Sequence, residues 1–189
     1  TERVLQDSMF ELDNLSAYLG KLKDMVCADE RETLLRPSAF NLRELVEKVV
    51  RLTNIPAGKK VSFSTAFPPD MPDLTADPVH VANVLSNLIE NAIKYSGEEV
   101  NIDIVVLWNH QGVELTVSDN GFGIAPDERR KVFEKFYRSS HLTAKQIPGI
   151  GLGLSYVRQI VEAHHGSVSL RSELGEGTRI TINLPTTAL

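Results

Sequence analysis

The chain has 189 residues, 42% hydrophobic and 24% charged, with a formal net charge of −5. That profile allows one ordinary domain with an appendage, or two small ones, around a real core, and offers no polybasic surface for nucleic acid or anionic membrane. One cysteine, Cys27, excludes an internal disulfide framework and a cysteine-based zinc site, and no apolar run approaches the ~18 residues that span a bilayer.

The first residue is Thr1, with no initiator methionine or secretory h-region, so the chain reads as a piece of something longer. Apolar positions then alternate by threes and fours through Leu5, Leu12, Leu15, Leu19, Leu22 and Val26, with Ser8 in the same register. Such a narrow seam, held for about three heptads, is coiled-coil-like and calls for a partner helix. The polar stretch "CADERETLLRPS" reads as a linker, so residues 1–33 form one unit and 34–189 the other.

In "FNLRELVEKVV", Asn41 and Glu44 have the spacing of a capping box, and Phe40 and Leu45 that of a hydrophobic staple. "VSFSTAF" alternates as a strand, and "PPDMPD" reads as a loop. Asp77–Pro78 starts a helix that should run to about Ser96. "VNIDIVVLW" and "VELTVSD" follow as a hairpin about "NHQG". The pattern then predicts a helix near "PDERRKVFEKF", a loop, a helix through "GLSYVRQIVEAHH", and a closing hairpin about "LGEG". Most strands arrive as hairpins, so the expected fold is α+β: a two-layer sandwich of a mixed, mostly antiparallel sheet with helices on one face, preceded by the coiled-coil-like helix.

The helix from Pro78 carries "NLIENAIKYS". At about 100° per residue, Asn87, Glu90, Asn91 and Lys94 share one side, while Val81, Leu85, Leu88 and Ala92 face the core. Asparagine is a mediocre helix former, and a merely wet face gains more from Glu, Lys or Gln. An amide carbonyl beside a cation and a carboxylate suits Mg²⁺, a hard ion that keeps several waters. Two loops complete the pattern. "DNGFGI", Asp119 to Ile124, offers an acceptor-only carboxylate and two glycines at a strand end. "GIGLGL", Gly149 to Leu154, sets three alternate glycines before a helix start, where exposed amides favour phosphate oxygens. The spacing fits neither GxGxxG nor a P-loop.

In order, the amide-bearing helix, the DxGxG turn, "FEKFYR" (Phe133 to Arg138) and GxGLGL resemble the N, G1, F and G2 boxes of the ATP-binding domain of sensor histidine kinases. The resemblance covers Phe40 to Pro185. It implies that Asn91 ligates Mg²⁺ bridging the ATP phosphates, with Asn87 and Lys94 on those phosphates. Tyr95 would lie against adenine, Asp119 would accept its amino hydrogen, Gly121 and Gly123 would shape the base pocket, and Thr178 would assist through water. Gly151, Leu152 and Gly153 would wrap the phosphates, with Gly149, Leu154 and Ile124 among the nucleotide-binding positions. Arg138 would neutralise the transferring phosphoryl group, and Glu90 would be general base.

Residues 1–30 resemble the second helix of the family's dimerisation and phosphotransfer hairpin. None of His80, His110, His141, His164 or His165 has the acidic neighbour of the family's phosphoacceptor, so the accepting histidine is expected upstream in the parent. The implied partners are that hairpin, a homodimeric parent and the receiver domain of a response regulator. The implied location is cytoplasmic, in a membrane-anchored parent. His164–His165 is expected to meet the helix macrodipole when protonated, and Gly166 to supply the left-handed cap that the family places at His165. Two rivals stand beside this reading: a clamp ATPase of the same superfamily, and a non-catalytic nucleotide-binding dimerisation module. The polar loop between Tyr137 and Pro148 is expected to act as an ATP lid.

Overall fold

The computed structural model describes residues 35–109, 111–139, 147 and 149–185. The expected heptad helix and most of the stretch read as its linker lie outside the described residues, as does most of the loop expected to form a lid. Ser38, the last residue of that stretch, instead opens a strand.

Strand β1, Ser38–Phe40, leads into helix α1, Leu42–Leu52. Asn41 caps α1, its Oδ1 accepting the Glu44 N–H at 3.1 Å, which satisfies one of the donors a helix start leaves open. Leu42, Val46 and Val49 recur at helical spacing and are its buried face. Strands β2, Lys60–Ala66, and β3, Leu74–Ala76, follow. β3 pairs with β1 in a small antiparallel sheet. Neither was foreseen, because three residues are too few for an alternation to register.

Helix α2 spans Pro78–Lys94. Asp77 Oδ1 accepts from the N–H groups of Val79 (3.0 Å) and His80 (3.1 Å), and Pro78 has no donor to satisfy. The helix ends two residues short of the expected Ser96, with Tyr95 as C-cap. Lys59 explains the stop. Its ammonium donates to the carbonyls of Ile93 and Ser96, the latter at 3.0 Å, a cation on the negative end of the helix.

Strands β4 (Glu99–Asn109), β5 (Gly112–Asp119), β6 (Ser167–Glu173) and β7 (Gly177–Pro185) join β2 in a sheet of order β2-β4-β5-β7-β6. β2 runs parallel to β4 and the other neighbours are antiparallel, the mixed and mostly antiparallel sheet expected. Its inner face presents Val100, Ile102, Ile104 and Val106 from β4, Val113, Leu115 and Val117 from β5, and Ile180, Ile182 and Leu184 from β7, all buried. These strands meet α2 and helix α3, Gly153–Ala163, while Asn101 and Asp103 on the opposite face are exposed. Each aliphatic side chain buried this way contributes about 1.5–3 kcal/mol. Truncating Leu85, at 0% exposure, to alanine would cost ~2–5 kcal/mol.

The helix expected near "PDERRKVFEKF" is not formed: Pro126–Arg130 is a series of turns, and only Lys131–Phe133 is a short 3₁₀ segment. Tertiary contacts override the local pattern here. The Glu128 carboxylate, in a residue 6% exposed, is drawn inward to accept from Tyr137 and Ser139. Phe136 then takes a left-handed φ of 65° to donate its N–H to the Gly151 carbonyl at 2.9 Å.

Candidate functional site

Helices α2 and α3 pack side by side in opposite directions. Gly153 at the start of α3 lies against Asn87 and Asn91 of α2, whereas His164 at its end reaches Asp77 at the start of α2. The polar stripe of α2 therefore faces α3, and it continues two turns beyond the stretch singled out in sequence. His80 Nδ1 meets the Tyr156 hydroxyl at 2.9 Å, and Asn83 Nδ2 lies 3.5 Å from the same oxygen. Extending the helical wheel backwards from Asn87 would have found both residues.

The glycines after Ile147 divide by direction. A Cβ on Gly153 would lie 3.2 Å from Asn87 Oδ1 and 3.5 Å from Asn91 Nδ2. One on Gly149 would collide with Lys94 Nζ and come within 3.7 Å of the Tyr95 hydroxyl. Gly151 faces the other way, where a Cβ would meet the Tyr137 carbonyl at 2.5 Å, and its φ of 79° favours glycine. Leu152 is buried and Leu154 packs against the core, so the two leucines anchor this loop. The N-terminus of α3 has no side-chain cap.

On the other side of Tyr95 stands the β5 end. Register places Asp119 opposite Thr178 of β7, and Asp119 Oδ1 accepts the N–H of Gly121 at 2.8 Å and of Thr178 at 3.1 Å. Among the described residues no hydrogen bond goes to its Oδ2. Burial pushes the Asp119 carboxyl above its ordinary value, against those two donors. A Cβ on Gly121 would lie 2.5 Å from the Tyr95 carbonyl, and Phe122 N–H donates to that carbonyl at 2.8 Å. Gly123 and Ile124 instead clasp the β6–β7 turn: Gly123 has no room for a Cβ beside the Glu173 carbonyl, and Ile124 N–H donates to Ser172 Oγ at 2.8 Å. Ser172, which also donates to the Gly177 carbonyl, was missed because a lone serine in a strand carries no pattern.

Tyr95 is half-buried, and burial raises its phenol, while the Arg138 charge nearby opposes the shift. The Lys94 ammonium lies 5.1 Å from the Tyr95 ring centre. Arg138 is exposed and donates to the Ile147 carbonyl. Glu90 is exposed on α2, one residue from Asn91. Asn87, Asn91, Lys94, Tyr95, Asp119, Gly121, Gly149 and Gly153 thus converge. Arg138 joins at the edge, and Gly123, Ile124, Gly151, Leu152 and Leu154 support the walls.

The opposite end of the helix pair corrects two expectations. His164, 4% exposed, does not act as a macrodipole cation. Its Nε2 accepts the Asp77 N–H at 3.0 Å, and its Nδ1 lies 2.8 Å from the Ile160 carbonyl, which fixes the neutral Nδ1–H tautomer. Burial lowers its pKa, outweighing the Ile160 carbonyl and the Asp77 charge, with His80 and His165 adding to the lowering. The left-handed cap residue is His165 itself, with φ of 57°, not Gly166. The pair of bonds His165 N–H to Glu162 O and Gly166 N–H to Val161 O is a Schellman motif. Gly166 is needed for close approach instead, since a Cβ there would strike the Asn183 carbonyl.

Residues 76–188 match the model of the "Histidine kinase-, DNA gyrase B-, and HSP90-like ATPase" family. The chain is 32% identical over 178 residues to "Sensor protein RprX" of Bacteroides fragilis (strain YCH46), covering 93% of this chain and 34% of that protein. It is 36% identical over 156 residues to "Adaptive-response sensory kinase SasA" of Parasynechococcus marenigrum (strain WH8102), covering 82% and 40%. The chain thus spans well under half the length of both. Among solved structures, full-length ShkA in complex with AMPPNP superposes with a TM-score of 0.80 at 25% identity, over 94% of this chain and 37% of that one. The mycobacterial sensor histidine kinase MprB gives 0.64 at 26% identity, over 82% of this chain and 100% of that one.

Proposed function

Because this chain belongs to the histidine kinase-, DNA gyrase B- and HSP90-like ATPase family, we propose that it is the ATP-binding catalytic domain of a sensor histidine kinase. It transfers the γ-phosphoryl group of Mg·ATP to a histidine outside residues 1–189. The observation that carries this reading is the convergence of the Gly149 and Gly153 bends on Asn87, Asn91 and Lys94, with Asp119 across Tyr95 from them. The names of the curated relatives and the AMPPNP complex of ShkA support it.

In this reading Asp119 Oδ2 accepts a hydrogen bond from the C6 amine of adenine, where guanine carries a carbonyl that has no proton to donate. Tyr95 lies against the base, Gly121 admits it closely, and Thr178 helps through water. The uncapped amides at Gly153 and Leu154, with Asn87 and Lys94, hold phosphate oxygens. Where Gly149 and Gly153 stand, any side chain would fill the space the phosphates need. Asn91 Oδ1 would be the protein's ligand to Mg²⁺. Among the described residues no cluster of three His, Cys, Asp or Glu could cage a metal, which suits an ion held mainly by nucleotide oxygens and water. When bound, that ion supplies charge neutralisation across the phosphates. Arg138, whose charge is felt at Tyr95, would meet charge building on the γ-phosphoryl oxygens. Glu90 takes the proton released as the imidazole nitrogen bonds phosphorus and ADP leaves.

We assign residues 1–33 to part of the dimerisation hairpin and its linker, and 34–189 to the catalytic domain. The parent is a homodimer that passes the phosphoryl group to a response regulator's receiver domain. No helix among the described residues is long and apolar enough to cross a membrane; membrane anchoring belongs to the parent.

The test has two parts. Titration calorimetry with Mg·AMPPNP should give saturable binding that Asn91→Ala weakens at least ~30-fold. Incubation with γ-labelled ATP and a separately supplied acceptor hairpin should then yield phosphohistidine. Release of inorganic phosphate alone would favour the clamp ATPase, and nucleotide binding with neither product would favour a non-catalytic module.

A further inference from the structure

Away from the converging amides and glycines, a groove of about 600 Å³ opens between the Pro126–Phe133 segment, α3 and strand β6. It shares no residue with the site described above. Its volume falls within the range of binding clefts. Val168 and Leu170, two apart on β6 and therefore on one face, line it together with Phe133, and all three are half-buried.

Over this apolar floor stand Arg129, Arg130 and Arg158, against one acid, Glu162. Arg130 and Arg158 are exposed, and Arg158 Nε shares a 2.8 Å ion pair with Glu162. Arg129 differs: its Nε is buried with no hydrogen-bond partner among the described residues. A guanidinium already stripped of water at one nitrogen loses less on meeting a carboxylate, and gains more from it. A locally basic groove on a chain of net charge −5 also attracts acidic partners to one place, because the rest of the surface repels them.

We propose that this groove docks a short acidic segment of a partner protein, one that sets an aromatic or branched aliphatic side chain among carboxylates. The apolar side chain lies on Phe133, Val168 and Leu170, and the carboxylates pair with Arg129, Arg130 and Arg158. β6 is the terminal strand of its sheet, so the groove lies at a margin that an extended segment can approach.

The test is fluorescence polarisation on the full 189-residue chain, with a labelled hexapeptide of aspartates and glutamates around a central phenylalanine. Binding should saturate below about 1 mM and weaken steeply as salt is raised. The double variant Arg130→Glu/Arg158→Glu should weaken it at least about tenfold, and Arg130→Lys/Arg158→Lys by less. Circular dichroism and AMPPNP affinity of the variants should match the parent chain, since neither residue belongs to the site at α2. A peptide with alanine replacing phenylalanine should bind more weakly, and one with lysines replacing the acids should not bind. Equal binding of the acidic peptide to the double-glutamate variant, equal binding of the lysine peptide, or no saturation would overturn the proposal. So would binding of glutamate alone as tightly as the peptide, which would make this a small-anion site.

Discussion

The two ends of the α2–α3 pair are built from the same helices to opposite specifications. At the Asp77–His164 end every contact closes. Asp77 accepts from Val79, His80 and the Arg36 N–H at 2.7 Å, gives its own N–H to His164, and α3 finishes in a Schellman motif. Burial is the largest single influence on the Asp77 carboxyl and pushes it up, but the backbone hydrogen bonds from Arg36, His80 and Val79, with the His80 charge, together hold it below its ordinary value. At the Lys94–Gly153 end the start of α3 is uncapped, glycines occupy the contact positions, and a carboxylate sits partly buried with its pKa raised. The first end is arranged for stability. The second forgoes stability to keep hydrogen-bonding groups available, the pattern expected where a fold departs from local optimum for function.

If that contrast is right, substitutions at the two ends should separate binding from stability. The largest effect should come from Asp119→Asn. Exchanging an acceptor-only carboxylate for an amide puts a donor where the adenine amine must donate, and should weaken Mg·AMPPNP about 100-fold or more by calorimetry. The melting temperature should hold or rise, because an ionised group in a partly buried site is removed. The raised pKa sets the sign of the pH dependence: binding that needs the carboxylate fades as pH falls toward the raised value, sooner than for an ordinary aspartate. A fall in stability matching the loss of affinity would mean that Asp119 is only a strand-end clasp.

The mirror experiment is His164→Phe. It leaves the Asp77 N–H without its acceptor, so unfolding free energy by denaturant titration should fall about 1–3 kcal/mol at neutral pH while AMPPNP affinity stays unchanged. The folded pKa of His164 lies below its unfolded value. The parent chain is thus fully stabilised above the ordinary imidazole range and loses that contribution as pH falls from there to the folded pKa. The phenylalanine variant should lack that share of the acid slope. Persistence of the full slope would assign it to other groups.

How much of each end was legible in the sequence follows from how local its signals are. The Asp77–Pro78 start, the Asn41 cap and the hairpin strands rest on neighbours in sequence and could be read directly. So could the amide stripe, because a helical wheel is a local construction. Lys59 on the α2 terminus, Glu128 holding Tyr137 and Ser139, and Ser172 under the Asp119 turn act across tens of residues or through single side chains without periodicity. The helix expected near Pro126–Phe136 failed for that reason: its local pattern was outvoted by contacts with Gly151 and by a buried carboxylate. His164 was misjudged because an exposed helix end and a buried one look alike in sequence.

A smaller effect distinguishes the glycines. Gly166→Ala should destabilise by about 1–3 kcal/mol, since its Cβ would strike the Asn183 carbonyl and backbone must shift. Gly153→Ala should leave thermal stability unchanged or slightly raised, alanine being the better helix former by ~1 kcal/mol. Its Cβ, 3.2 Å from Asn87 Oδ1, should nonetheless weaken AMPPNP several-fold. Equal thermal losses for the two variants would erase the distinction between the ends.

The smallest effect should be a gain, and it probes whether even the closed end is fully optimised. His165 holds a φ of 57° that a residue with a Cβ adopts at a cost of roughly 1–2 kcal/mol, while glycine's extra freedom in the unfolded chain offsets part of any relief. Its side chain is exposed, so little packing is lost on removing it. His165→Gly should therefore stabilise the chain by about 0.5–1 kcal/mol, a rise of a few degrees in melting temperature. Nucleotide affinity should not change, because the Schellman bonds from residues 165 and 166 are backbone bonds that glycine can keep. A loss of stability would show that the imidazole itself contributes at this cap. Since His165 is among the charges that lower the His164 pKa, the same variant should also raise that pKa slightly and narrow the acid window, an effect readable in the His164 imidazole resonance.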